Sequence, residues 1–301
     1  MEPQVVWAQW GDLDIPDGFK NLSPTSSSLD GDNLDEITFF VPPYMGGREA
    51  LLPILRMPNL QYVQLPNAGY DDAMEFARSG LTICNAQGVH DDSTAELAVG
   101  LTIAALRGFP DFLRGQQSGD WVHAKRKSLS DSRIGIIGFG SIGKRIKENF
   151  SGFAVETVAF SRSGSDGSKK MTELDAELPN LDVVILVLPL NDESKHLFDA
   201  RRLALMKDGA LLVNVARGPV VDTDALIAEL NTGRIIAALD VTDPEPLLKG
   251  HLLWSAKGVL ISPHVGGDTT AFEPRIKKLV EEQLKRLAAG QSLKNIVIEG
   301  N

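Results

Sequence analysis

Cysteine is nearly absent: Cys84 is the only one in 301 residues. A single thiol excludes an intramolecular disulfide framework and a multi-cysteine zinc site. No apolar run approaches the roughly 20 residues of a membrane span; the longest, Val183–Leu190, is far shorter. The start, MEPQVVWAQWGDLD, shows no basic stretch followed by an apolar core, so no secretory signal is expected there. The expected setting is the reducing cytoplasm, with no membrane partner. No spacing of His, Cys, Asp and Glu argues for a metal site. Basic residues are also scarce, and the net charge of −10 speaks against nucleic acids and anionic membranes as partners. The scarcity is local. Residues 1–100 hold four basic side chains (Lys20, Arg48, Arg56, Arg78) against fifteen acidic ones, whereas the remaining two thirds is near neutral. That asymmetry hints at two parts with different tasks.

The length suggests two domains, and a chain this long can bury a large core without covalent staples. The first stretch reads as a small α/β unit. Val5–Ala8, Ile37–Val41, Tyr62–Leu65 and Leu81–Cys84 are strand candidates, and Arg48–Leu55 is a helix candidate. Asn21–Asp35, rich in Ser, Asp and Gly, reads as loop. Ser93–Leu106 is a helix apolar nearly all round, capped by Asp92 or Ser93 and stopped by Gly108 and Pro110. It is expected to be buried between two domains. From Arg133 onward, apolar runs at Ile134–Ile137, Val155–Phe160, Val183–Leu188, Ala210–Val215, Ile235–Leu239 and Val259–Ile261 alternate with helical segments. This pattern predicts a parallel, doubly wound sheet covered on both faces. A last amphipathic helix, about Phe272–Ala289, falls outside the alternation and is expected to pack back on the first domain.

One turn in the alternating half carries a phosphate-binding pattern. Residues 134–146 read IGIIGFGSIGKRI, with Gly138, Gly140 and Gly143 directly after an apolar strand and opening a helix. The first glycine permits a tight turn, the second a close approach of pyrophosphate, the third close packing of helix on strand. Phe139, Ser141 and Ile142 complete the loop, and the helix N-terminus offers free N–H groups to phosphates. An acidic residue at the end of the next strand would hold the ribose 2′-hydroxyl of NAD. Ser161-Arg162-Ser163 stands there instead. A forked cation between two hydroxyls suits a 2′-phosphate, which favours NADP and leaves NAD possible.

Three polar residues follow later apolar strands: Arg217 in NVARGPVVD, Glu245 in DVTDPEP and His264 in SPHVGG. In an open parallel sheet they fall on the same rim as the phosphate loop. Their chemistry fits one task. Arg can grip the carboxylate and ketone of a 2-oxo acid. Hydride addition leaves an alkoxide that His can protonate, and a nearby carboxylate favours imidazolium. His90, His123, His196 and His251 have no comparable setting and read as structural or surface residues.

With IGIIGFGSIG, VILVLPLNDESKHLF, LLVNVARGPVVDTDAL, AALDVTDPEPL and ISPHVGG in this order, the chain resembles the D-isomer-specific 2-hydroxyacid dehydrogenases, most strongly from about Leu60 to Val280. The resemblance implies a Rossmann-type domain, residues 93–272, inserted in a smaller flavodoxin-like α/β substrate domain made of residues 1–92 and 273–301. It implies that Arg217 binds the substrate carboxylate and carbonyl, that His264 is the acid/base and that Glu245 is its partner. Asp240, Leu188-Pro189, Val215-Ala216 and Gly266-Gly267 would line the cofactor. In LPNAGYDD, the backbone N–H groups of Ala68 and Gly69 would hold the carboxylate, with Asn67 beside them. The family often has Gly or Ala where Asn67 stands, and an aromatic residue where Thr242 stands. The loop Pro42–Gly47, with Tyr44 and Met45, would face the substrate side chain, and Trp121 would help close the pocket. A homodimer is implied as well.

The implied function is reduction of glyoxylate, hydroxypyruvate or related small 2-oxo acids. Two alternatives stand beside it. One is a nucleotide-sensing scaffold or co-regulator on the same fold. The other is a dehydrogenase of a phosphorylated hydroxy acid, for which Arg48 is the one basic residue in position.

Overall fold

The computed structural model describes residues 4–22, 29 and 34–300. Most of the expected Asn21–Asp35 loop therefore lies outside the described residues. The chain divides into two compact units, Met1–His90 with Thr270–Asn301, and Asp91–Thr269.

The first unit opens with β1 (Gln4–Trp7), β2 (Phe19–Asn21), β3 (Phe39–Phe40), β4 (Tyr62–Gln64) and β5 (Thr82–Cys84). All five are parallel, in the order β2-β1-β3-β4-β5. That is the flavodoxin-like order. The strand β2 was not expected, since FKN carries no apolar run to mark it. The connecting segments Leu34–Glu36, Gly47–Arg56 and Asp71–Phe76 are 3₁₀ turns. The helix expected at Arg48–Leu55 is thus a 3₁₀ segment. Pro53 lies inside it and, having no N–H, cannot continue an α-helical ladder.

The second unit begins with α1 (Asp91–Arg107) and α2 (Phe109–Ser118). Asp92 and Ser93 lie inside the first turn of α1 rather than capping it. The buried Ser93 hydroxyl instead hydrogen-bonds the Thr269 hydroxyl at 2.8 Å. Gly108, in the left-handed conformation (φ 72°), ends α1, but Pro110 opens α2. Proline is tolerated there because first-turn N–H groups have no helical acceptor.

Then follow β6 (Arg133–Ile137), α3 (Ser141–Asn149), β7 (Glu156–Ser161), β8 (Lys169–Lys170), α4 (Leu174–Glu177) and β9 (Val183–Leu186). The unit continues with α5 (Ala200–Leu205), β10 (Leu211–Asn214), α6 (Thr223–Thr232), β11 (Ile236–Leu239) and β12 (Val259–Ile261). The seven strands form one parallel sheet, β12-β11-β10-β9-β6-β7-β8. Every residue of β9 and β10 is buried. Val184, Leu186 and Leu212 join one apolar cluster; Val183, Ile185, Leu211 and Val213 join the other. Period-two alternation thus serves two cores at once, as a sheet covered on both faces requires. The strand order reverses at β6, which makes its C-terminal end the switch point where ligands bind in such sheets.

The chain then returns to the first unit with α7 (Phe272–Ala288) and β13 (Ile296–Ile298), which adds antiparallel to β5. Phe272, Ile276, Val280 and Leu284 of α7 bury against Val6, Phe39 and Val41. The buried Gln283 amide donates to Gln64 Oε1 at 2.8 Å. Lys277 pairs with Asp12 and Lys285 with Asp14. Part of the acidic excess of the first hundred residues is therefore balanced by a helix nearly 270 residues later.

Candidate active site

The phosphate loop joins β6 to α3. Gly138 has φ 106°, and a Cβ there would lie 2.4 Å from the Val187 carbonyl oxygen. A Cβ on Gly143 would meet the Gly138 carbonyl oxygen at 2.1 Å. Both positions thus demand glycine, one for turn and contact, the other for contact. Gly140 differs: it precedes α3 and its Cβ direction is open. That open face beside the first turn of α3 is where a phosphate can approach backbone N–H groups, so these residues fit a dinucleotide.

Ser161 ends β7, and Arg162 follows. The Ser161 hydroxyl accepts the Gly164 N–H at 3.0 Å and bonds the Ser168 hydroxyl; Ser163 bonds Ser165. Both serines stabilise the turn that presents Arg162. The Arg162 guanidinium meets the Glu193 carboxylate at 2.8 Å. Glu193 belongs to the loop after β9, a carboxylate that the sequence did not place near the ribose position.

Arg217, Glu245 and His264 lie in the turns after β10, β11 and β12 of the same sheet. The Arg217 turn is built on Asn214, a buried side chain not singled out from the sequence. Its amide donates to the Arg217 carbonyl at 3.0 Å and its oxygen accepts the Ala216 N–H at 3.0 Å. A Cβ on Gly218 would fall 1.9 Å from the Thr242 carbonyl oxygen. Only glycine lets the Arg217 turn pack directly on the turn that leads to Glu245. Thr242 is buried, and its hydroxyl donates to the Pro244 carbonyl.

His264 adopts the left-handed conformation with φ 53°. For a non-glycine residue such a conformation is worth about 1–3 kcal/mol of strain and needs surrounding bonds to hold it. The bonds come from Asp240. Its carbonyl accepts the His264 N–H at 2.7 Å. Its buried carboxylate accepts the Ser262 hydroxyl (2.6 Å) and the Val265 and Gly266 N–H groups (3.0 and 2.9 Å). Asp240, expected to line the cofactor, therefore also clamps the histidine turn. The imidazole Nδ1 hydrogen-bonds Glu245 Oε1. Burial alone would raise the Glu245 carboxyl. The His264 hydrogen bond and charge, the Thr242 N–H and the Arg217 charge outweigh it and hold the group below the usual carboxylate range.

Leu188-Pro189 follow β9, Val215-Ala216 follow β10 and Gly266-Gly267 follow β12, so all six stand at the same strand ends. Within the first unit, the turn after β4 is tied down by its carbonyls. Pro66 O bonds His90 Nε2 (2.7 Å), Asn67 O accepts the Ala86 N–H (2.8 Å), and Ala68 O accepts the Asn85 amide (2.6 Å). Among the described residues, the N–H groups of Ala68 and Gly69 donate to no protein acceptor. The Asn67 side-chain oxygen is buried without a hydrogen-bond partner among them. His90, read as structural, orients this turn and stacks on Tyr44 and Phe272. Arg48 pairs with Glu75 through two bonds of 2.5 and 2.9 Å at the surface. Trp121 is 95% exposed and covers nothing within its own unit. Cys84 is buried, which pushes its thiol up to about 12 and makes it inert at neutral pH.

Residues 99–266 match the family model "D-isomer specific 2-hydroxyacid dehydrogenase, NAD binding domain". Glyoxylate reductase of Thermococcus kodakarensis is 34% identical over 256 residues, 78% of this chain and 75% of that protein. Among solved structures, a D-isomer specific 2-hydroxyacid dehydrogenase from Xanthobacter autotrophicus Py2, in complex with NADPH and MES, is 26% identical with a TM-score of 0.78, covering 99% of this chain and 98% of that one. A family protein from Aeromonas salmonicida aligns over the full length of both chains with a TM-score of 0.87 at 24% identity, a likeness of fold. No helix among the described residues is long and apolar enough to cross a membrane.

Proposed function

The chain belongs to the D-isomer-specific 2-hydroxyacid dehydrogenase family, and from that premise we propose that it reduces small 2-oxo acids of the glyoxylate and hydroxypyruvate type to D-2-hydroxy acids, with NADPH preferred over NADH. The observation that carries this reading is the hydrogen-bonded His264–Glu245 pair, with the Arg217 charge acting on Glu245, in a sheet whose switch point holds the glycine loop. The glyoxylate reductases at 32–35% identity support the substrate class. The NADPH complex of the Xanthobacter relative and Arg162 at the end of β7 support the cofactor preference.

In this reading Gly138–Gly143 and the first turn of α3 hold the pyrophosphate, and Arg162, with Ser161 and Ser163, faces the 2′-phosphate. Leu188, Pro189, Val215, Ala216, Asp240, Gly266 and Gly267 line the rest of the cofactor. The bound cofactor supplies the hydride. Arg217 grips the substrate carboxylate and polarises its ketone through charge-assisted hydrogen bonds. The free N–H groups of Ala68 and Gly69 hold the carboxylate, as successive backbone amides hold anions elsewhere. Asn67 offers its unpartnered oxygen to the substrate side chain. His264 presents Nε2 to the carbonyl oxygen, because Nδ1 is taken by Glu245. The ionised Glu245 holds the ring through Nδ1, and the protonated imidazole gives its Nε2 proton to the developing alkoxide.

The cytoplasm is the proposed compartment. A homodimer is proposed as the working form; exposed Phe109, Phe112 and Leu113 on α2 offer apolar surface for a second copy. The decisive assay follows absorbance of NADPH and NADH with glyoxylate, hydroxypyruvate and a panel of longer 2-oxo acids. Turnover with NADPH, and glyoxylate or hydroxypyruvate among the best substrates, is expected. Cofactor binding without turnover on any 2-oxo acid would replace this reading with a nucleotide sensor.

A further inference from the structure

Arg162, read above as the 2′-phosphate contact, carries an ion pair to Glu193. The sheet order β9-β6-β7 puts the glycine loop in the middle, the Glu193 loop on one side and the Arg162 turn on the other. Two strand spacings are only about 10 Å, which two long side chains can span. Their charged ends meet at 2.8 Å, so the pair bridges the strand ends on either side of the phosphate loop.

Both ends of this bridge are held by their own loops. Asn191 Oδ1 accepts the N–H groups of Glu193 and Ser194, each at 3.0 Å. The buried Ser194 hydroxyl donates to the Pro189 carbonyl at 2.7 Å and accepts the Asn191 N–H at 2.8 Å. On the other side, Ser161 and Ser168 brace the Arg162 turn. The two tips are otherwise open to water, with side chains 76% and 74% exposed. An exposed pair is weak, so it can be broken by a better anion. A 2′-phosphate is such an anion, but it arrives beside a carboxylate that repels it.

Resting on the reading of Arg162 as the 2′-phosphate contact, we propose that Glu193 sets the cofactor preference. It holds Arg162 when no cofactor is bound, must release it to a 2′-phosphate, and thereby lowers NADPH affinity while leaving NADH nearly untouched. The preference of the enzyme for NADPH is accordingly smaller than Arg162 alone would give.

The test uses two fragments that isolate the contact, 2′,5′-ADP and 5′-AMP, titrated calorimetrically against wild type, E193Q, R162A and the double variant, with thermal melting as a check on folding. Glu193→Gln keeps the shape of the side chain and removes its charge. It should tighten 2′,5′-ADP by about 3–10-fold and leave 5′-AMP within about twofold. In the R162A background the gain should shrink, because there is no guanidinium left to release. Unchanged 2′,5′-ADP affinity in E193Q, or equal gains for both fragments, overturns the proposal. Loss of 2′,5′-ADP affinity in R162A while E193Q is silent would leave Arg162 as the phosphate contact and remove only Glu193. If R162A binds both fragments as wild type does, the Arg162 reading itself falls.

Discussion

The crossovers that cover the first unit's sheet include 3₁₀ segments, and its strands run two to four residues. In the second unit α3, α5 and α6 connect strands that include two buried throughout. The two units also use their strand ends differently. The second presents side chains: Arg217, Glu245 and His264, each on a turn pinned by a buried polar residue or a close glycine contact. The first presents backbone: a turn after β4 whose carbonyls are consumed by His90, Ala86 and Asn85, and whose Ala68 and Gly69 N–H groups meet no protein acceptor among the described residues. Charge that must move or change during a reaction needs titratable or forked side chains. Holding a carboxylate needs only fixed N–H dipoles, which a short, rigid turn supplies as well.

Removing the proton donor proposed for the second unit should have the largest effect. His264→Ala is expected to lose about 10²–10⁴-fold in kcat/KM for reduction, with cofactor affinity close to wild type by fluorescence titration. Retained turnover would mean that the side-chain chemistry lies elsewhere.

A smaller effect is expected where backbone packing supports that chemistry. Gly218→Ala places a Cβ against the Thr242 carbonyl and must push the Arg217 turn off the Glu245 turn. A destabilisation of about 1–3 kcal/mol is expected from such overpacking, read by denaturant unfolding, together with an activity loss. A variant that melts and turns over like wild type would show that the contact is dispensable.

Arg217→Lys keeps the charge but not the fork. The loss of a charge-assisted bond, about 1.5–3 kcal/mol, corresponds to roughly 10–100-fold in kcat/KM. Near-normal kinetics would assign Arg217 a purely electrostatic task.

The Glu245–His264 pair sharpens the comparison through pH. Because the Glu245 carboxyl is held below its ordinary range, it remains ionised as pH falls until that lowered value is reached. Its stabilising contribution is therefore present above the unfolded carboxylate range and lost only on stronger acidification. Protonation of Glu245 at that lowered value takes the carboxylate off the His264 ring, so reductive kcat/KM should fall there on acidification. Glu245→Gln removes the titrating group, so part of the activity should be lost and this acid-side fall should vanish. An unmoved profile with chemistry rate-limiting would point to another proton source.

The smallest effect is expected in the first unit. Arg48→Gln should change neither kcat nor KM for glyoxylate, and should leave the melting temperature close to wild type, because an exposed ion pair contributes little. A large rise in KM would bring back the phosphorylated-substrate reading.

Much of this molecule could be read directly. The glycine loop was visible because its spacing is set locally: at Gly138 and Gly143 a side chain would collide with the neighbouring β9 end or with the loop itself, while Gly140 leaves its face open. The parallel sheet was visible because strands buried on both faces leave continuous apolar runs. Arg217, Glu245 and His264 stood out because each follows such a run. The 3₁₀ character of the first unit was less accessible, since Gly47–Arg56 has an amphipathic pattern that a helix would share.

Local stereochemistry and the apolar period therefore determined the sheets, the phosphate loop and the rim on which the polar residues stand. Only the tertiary structure decided which groups hold those residues in place. Asn214 on the Arg217 turn, Asp240 on the His264 turn, His90 on the turn after β4 and Glu193 on Arg162 are polar contacts whose partners lie 3 to 31 residues apart. A hydrogen bond is set by distance and direction between two specific atoms. That geometry exists only after the chain has packed, and no periodicity in the sequence announces it.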